Sequence, residues 1–149
     1  MKHPPSPGRR GFTLAELMVV VVILGLLATL VVKNVIPRLF EAKREIAKAE
    51  IMNISEAIQL FQVKNGGKLP DTLEPLVTPD ENGVAFLVNM KAVPNDPWGF
   101  PYAYEKDSNG MTYEVKSYGR DGEPGGEGDN ADLSNKTIAN ERAGEKRGG

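Results

Sequence analysis

The chain has 149 residues, a formal net charge of −2, no cysteine and a single histidine, His3. That length suits one domain with appendages; the charge excludes a strongly basic nucleic-acid binder, and the cysteine count excludes a disulfide staple. Apolar residues are unevenly spread, because residues 17–32 are apolar except for Thr29 while everything after Asn34 is mixed and polar with one Trp. The polar part therefore has a thin core, which is marginal without a metal or a partner.

The first segment, residues 1–11, carries Lys2, Arg9 and Arg10 and no acid. The chain beyond it is more acidic than the whole, which favours soluble behaviour and divalent-cation binding over binding to an anionic membrane surface. Residues 12–32 follow as an apolar run of 21 residues. At ~1.5 Å per residue that is roughly 32 Å, enough to cross a bilayer core. Basic residues ahead of the run place the N-terminus in the cytoplasm and the C-terminal part outside. The run is too long for a secretory signal, and no small-residue cleavage pattern follows Val32. The apolar segment is thus expected to stay in the mature protein.

Glu16 is a carboxylate one turn into this apolar segment. An ionisable group inside a spanning helix is costly and marks a functional position, with a cation as its natural partner. The competing reading has Glu16 at headgroup level, snorkelling to water. Gly11-Phe12-Thr13-Leu14-Ala15-Glu16, behind a basic leader and ahead of an apolar run, resembles the signal of type IV pilins and type II secretion pseudopilins. The resemblance implies cleavage between Gly11 and Phe12 by a membrane prepilin peptidase and N-methylation of the Phe12 amine. It also implies assembly through Phe12, Thr13 and Glu16, with Glu16 of one subunit neutralising the Phe12 amine of the next.

The helical pattern continues past the apolar run. Ala47, Ile51, Ile54, Ile58 and Phe61 form one stripe at 4-3-4-3 spacing. The stripe should pack on a sheet, with an exposed coiled coil as the alternative. Pro37 is expected to kink or open the helix, and Asn65-Gly66-Gly67 to end it. Residues 72–77 suggest a short helix capped by Asp71 or Thr72. Residues 80–83 read as a turn. Asn95-Asp96-Pro97-Trp98-Gly99 reads as a rigid turn, with Trp98 as a core plug. Residues 102–105 and 113–117 read as strands joined by a hairpin at residues 107–110.

Residues 119–135 are acidic and glycine-rich, holding Asp121, Glu123, Glu127, Asp129 and Asp132. On composition alone a solvated loop is the leading reading. Hard Ca²⁺ takes six to eight oxygens from carboxylates and carbonyls, which such a loop can supply, although the spacing is not that of an EF-hand. No catalytic constellation, P-loop or zinc spacing is present in the sequence.

The Asn95–Gly99 turn, the hairpin and Ser117-Tyr118-Gly119-Arg120-Asp121-Gly122 together resemble the major pseudopilins of type II secretion. The resemblance covers roughly residues 8–135. It implies a type IV pilin-like α+β fold, with a long N-terminal helix packed on a small antiparallel sheet and a calcium-binding C-terminal loop. By position it implies Asp121 and Asp132 as side-chain ligands, with carbonyls of Tyr118, Glu123 and Gly126 and, more weakly, Asp129. The expected division is a cleaved leader at 1–11, a membrane and assembly half-helix at 12–35, an amphipathic half at 36–65, a periplasmic head at 66–135 and a disordered tail at 136–149. The implied role is a non-enzymatic structural subunit of a homopolymeric pseudopilus in the bacterial inner membrane. Its implied partners are minor pseudopilins, the assembly platform and the prepilin peptidase, with no nucleic acid. A type IV pilus major or minor pilin is the alternative.

Overall fold

The structure, a computed structural model, describes residues 11–80 and 83–145. The expected leader therefore lies outside the described residues except for Gly11. Helix α1 spans Leu14–Lys64, 51 residues. The chain divides into two compact units, Met1–Leu39 and Phe40–Gly149, and α1 contributes its first part to one and its remainder to the other.

Over residues 17–32 of the first unit α1 is apolar apart from Thr29, so no side is specified as an inside. Its Leu, Val and Ile side chains are all exposed, including Leu24 at 58%. It is the one helix among the described residues long and apolar enough to cross a membrane. Thr29 satisfies its hydroxyl within the helix, donating from Oγ1 to the Gly25 carbonyl at 2.9 Å. The helix is not opened at Pro37; it continues through it. Proline removes one i→i−4 bond, and the long helical runs on both sides retain theirs.

The second unit is built on the amphipathic half of α1. Ala47, Ile51, Ile54 and Ile58 are buried and Phe61 packs against the same core, so the stripe faces inward as its spacing predicts. Asn65 N–H donates to Phe61 O at 2.9 Å and Gly67 N–H to Gln62 O at 2.8 Å. These bonds close the helix end, with Gly66 and Gly67 at positive φ where glycine is unstrained. A 3₁₀ turn follows at Glu74–Leu76 and buries Leu76. Neither expected cap is used: Leu73 occupies the cap position with no side-chain bond. Asp71 instead pairs with Lys106 at 2.6 Å. Hydrogen bonds from Gly83 N–H to the Asp80 carbonyl and from Val84 N–H to Asp80 Oδ1 close the expected turn around residues 80–83; Glu81 and Asn82 lie outside the described residues.

Strands β1 (Ala103–Lys106) and β2 (Tyr113–Ser117) pair antiparallel, with Tyr104 opposite Val115. Asp107 organises their hairpin: its Oδ1 accepts from Met111 N–H at 2.8 Å and Thr112 N–H at 3.0 Å. A third strand, β3 (Leu133–Ser134), pairs antiparallel with β2 and gives the order β1-β2-β3. Tyrosines in and beside the sheet reach across to the rest of the unit. Tyr102 donates to Glu50 Oε2 at 2.6 Å and Tyr113 to the Ser55 carbonyl at 3.1 Å. Tyr104 donates to the Pro70 carbonyl, and burial pushes its hydroxyl up to about 12.

The stretch from residue 136, expected as a disordered tail, is corrected by helix α2 (Asn135–Glu145); residues 146–149 lie outside the described residues. Its composition is polar, but Ile138 is buried in the common core. Ser134 and Thr137 exchange bonds at the helix start, with Ser134 N–H donating to Thr137 Oγ1 at 2.9 Å and Thr137 N–H to Ser134 Oγ at 3.2 Å. Lys48 of α1 pairs with Glu141 at 3.1 Å. One apolar anchor, a cap and a cross-element ion pair are enough to order a segment that looks solvated in composition.

Candidate functional site

Two places carry the predicted site residues, one in each unit. Gly11, Phe12 and Thr13 are exposed, non-helical residues directly ahead of α1. Phe12 is 82% exposed, so the Gly11–Phe12 peptide bond stands clear of the helix. Thr13 and Glu16 form a reciprocal cap. Thr13 N–H donates to Glu16 Oε2 at 2.8 Å, Thr13 Oγ1 donates to the same oxygen at 3.1 Å, and Glu16 N–H donates to Thr13 Oγ1 at 3.2 Å. This is the Thr-x-x-Glu capping box, a pattern present in the sequence whose two orphan donors are satisfied by each other's side chains. Both of Glu16's accepted bonds use Oε2, which leaves Oε1 outside the cap.

The acidic loop connects β2 to β3 and carries Tyr118, Asp121, Glu123, Gly126, Asp129 and Asp132. Asp121 Oδ1 accepts from Glu123 N–H at 3.2 Å, and Asp132 Oδ1 accepts from Gly125 N–H at 3.0 Å. The loop's neck is closed by Arg120 N–H donating to the Asp129 carbonyl at 3.1 Å, and a 3₁₀ turn forms at Gly128–Asn130. Among the described residues, the bonds that brace the loop run to the carbonyls of Glu127, Gly128, Asp129 and Ala131, not to those of Tyr118, Glu123 or Gly126. The glycines are there because the backbone approaches itself closely. A Cβ on Gly126 would lie 2.6 Å from Asn130 O, and one on Gly119 would lie 2.9 Å from Asp129 O; both glycines have positive φ.

Among the described residues no three acidic side chains gather closely enough to hold a metal by themselves. The expected ligands are all oxygens: the Asp121 and Asp132 carboxylates, whose bracing bonds use Oδ1, together with carbonyls. That set fits a hard cation held by mixed carboxylate and carbonyl ligands, and not a site built from side chains alone.

Several residues fix the loop in ways that their place in the sequence does not disclose. Asp96 is buried, and its Oδ1 accepts from Trp98 N–H at 3.1 Å and Phe100 N–H at 2.9 Å, which makes the 95–99 turn rigid. Its Oδ2 accepts from the fully buried Ser117 Oγ at 2.6 Å, and Ser117 Oγ accepts from Gly119 N–H at 3.2 Å. This relay ties the turn to the first residue of the loop. Trp98 packs against the core as expected, with its Nε1 buried and, among the described residues, without a hydrogen-bond partner. Downstream, Asn135 Oδ1 accepts from Val115 N–H at 3.0 Å, fixing the exit of the loop beside the sheet. An aspartate next to a proline, or an asparagine after a serine, looks like ordinary turn chemistry; only the fold shows what each one holds.

The family described as Type II secretion system (T2SS), protein G matches residues 34–136, and the Prokaryotic N-terminal methylation motif matches residues 6–32. The chain is 41% identical over 133 residues to the Type II secretion system core protein G of Pseudomonas aeruginosa, covering 84% of this chain and 93% of that protein. Its identity to the protein of that name from Vibrio cholerae is 38% over 135 residues, covering 86% and 92%. For the Escherichia coli K12 protein it is 38% over 138 residues, covering 86% and 94%.

Proposed function

Since this chain belongs to the protein G family of the type II secretion system, we propose that it is the major structural subunit of the secretion pseudopilus. It polymerises through the N-terminal half of α1 to drive export of folded proteins across the outer membrane. The observation that carries this reading is the first unit: a helix apolar on all faces over residues 17–32, with nothing among the described residues of its unit to bury against. Such a surface demands lipid or neighbouring helices. The subunit is held in the inner membrane by this single helix, with its N-terminus cytoplasmic and its head periplasmic.

Maturation hydrolyses the Gly11–Phe12 bond and leaves a new amine on Phe12, which is then N-methylated. The exposed, non-helical backbone at residues 11–13 suits entry into a peptidase. In the filament the Phe12 ammonium of one subunit meets the Glu16 carboxylate of the next. The capping box supports this step, because it holds the carboxylate at the first turn while Oε1 remains available. Two charges that are each costly in an apolar bundle then offset one another and set the stagger of the subunits. Minor pseudopilins and an inner-membrane assembly platform complete the machine, and the subunit itself performs no catalysis.

In the head, Asp121 and Asp132 would hold a calcium ion together with carbonyls of Tyr118, Glu123 and Gly126, with Asp129 as a weaker ligand. When bound, the ion supplies positive charge to an acidic loop and ties its carbonyls inward. Because it binds the folded loop and not the unfolded chain, its binding energy is folding energy.

Deletion of this subunit tests the function. The expected result is loss of exoprotein release with surface pili retained; loss of surface pili with release retained would assign the chain to a type IV pilus.

A further inference from the structure

The acidic loop is gripped from α1 at two points. Phe40 and Arg44 are four residues apart and share one face of the helix. The guanidinium of Arg120, at the loop's start, lies 4.7 Å from the centre of the Phe40 ring, within cation–π range. At the loop's other end, Arg44 Nη1 donates to the Gly128 carbonyl at 2.7 Å and to the Ala131 carbonyl at 3.3 Å. These two carbonyls bracket the 3₁₀ turn that carries Asp129 and leads into Asp132. Arg120 N–H also bonds the Asp129 carbonyl, so the two anchor points are joined across the neck of the loop.

We infer that Arg44 is the positioning residue of the acidic loop: its guanidinium docks the 128–131 turn on α1 and presets the loop for a cation. It is not itself a ligand. Two effects of the residue on calcium have opposite sign. By Coulomb's law alone a fixed positive charge beside the loop repels Ca²⁺, so its removal strengthens binding. By pre-organisation its removal leaves a loose turn that must be ordered on binding, so affinity falls. The short bond to Gly128 and the shared donor to both carbonyls make pre-organisation the larger effect.

The test uses the purified full chain in detergent. In chelator, hydrogen exchange at the amides of Arg120, Asn130 and Ala131 is expected to be about tenfold faster in Arg44→Gln than in wild type, in line with loss of a charge-assisted hydrogen bond. The Met111 amide, held by Asp107 in the β1–β2 hairpin, is expected to be unchanged. Arg44→Lys, which keeps the charge but not the fork, should fall between the two. Equal loop exchange in Arg44→Gln and wild type overturns the inference. A calcium titration by calorimetry supplies the second readout and rests on the calcium reading above. Weaker binding in Arg44→Gln is expected, and equal or tighter binding overturns the inference. If wild type takes up no calcium, the calcium reading fails by itself, and the exchange result decides the role of Arg44.

Discussion

The two halves of α1 are built from the same kinds of residue and meet opposite fates. Leu24 is 58% exposed, whereas Ile54, thirty positions later on the same helix, is 1% exposed. The difference is periodicity. From Leu17 to Val32 apolar residues run on with Thr29 as the one polar interruption, so no face is marked as inside and the burial must come from lipid and other copies. In the second, apolar residues recur at helical spacing between charged ones, so a single stripe closes over the sheet and its tyrosines. Hydrophobicity alone says that a helix will be buried; its angular distribution says by what.

Substitutions along α1 should separate the two halves. The largest effect is expected from Glu16→Ala. Cleavage at Gly11–Phe12 should proceed, while filament assembly, scored by crosslinking or electron microscopy of overexpressing cells, is nearly abolished; normal filaments from this variant would refute the register role. Next, Ile54→Ala should cost ~2–5 kcal/mol of head stability in denaturant melts, as truncation in a closed core does. Leu24→Ala should leave the same melt unchanged. Equal losses from both would erase the distinction between the halves.

Within the head, calcium is expected to raise the melting temperature of wild type over the chelator-treated protein. Asp121→Ala should remove that difference, and wild-type melting curves that coincide with and without calcium would sink the structural role of the ion. The smallest effect belongs to Asp107. Backbone N–H groups of Thr112 and Met111 hold its carboxyl below the ordinary 3.8. A lowered folded-state value stabilises the fold above pH 3.8, and this contribution is lost as pH falls through and below it. Asp107→Asn should therefore flatten slightly the acid limb of the stability curve, and an unchanged limb would assign no role to the turn.

Much of this molecule is legible in its sequence. The continuous run, the 4-3-4-3 stripe, the glycine stop and the two hairpin strands are local patterns, and each is present within a residue of where its spacing places it. The cleavage motif and the acidic loop are likewise written in consecutive residues. What escapes is non-local. Helix α2 hides behind a polar composition because it depends on one buried residue, Ile138, and on partners as distant as Lys48. Strand β3 is two residues long and is defined by its pairing to β2. The fixing of the acidic loop is shared among Arg44, Asp96, Ser117 and Asn135, which come from four parts of the chain, and no spacing rule links them. The capping box is a local signal too: Glu16 caps the first turn of its own helix through Oε2.

The central claim is that the exposed apolar half of α1 is retained as an anchor and freed at its end for assembly. N-terminal sequencing and intact mass of the protein isolated from its own membranes test it most directly. The account predicts a mature chain that begins at Phe12, carries one N-methyl group and keeps the whole of α1; a chain that begins at Met1, or one cut after the apolar run, would contradict it.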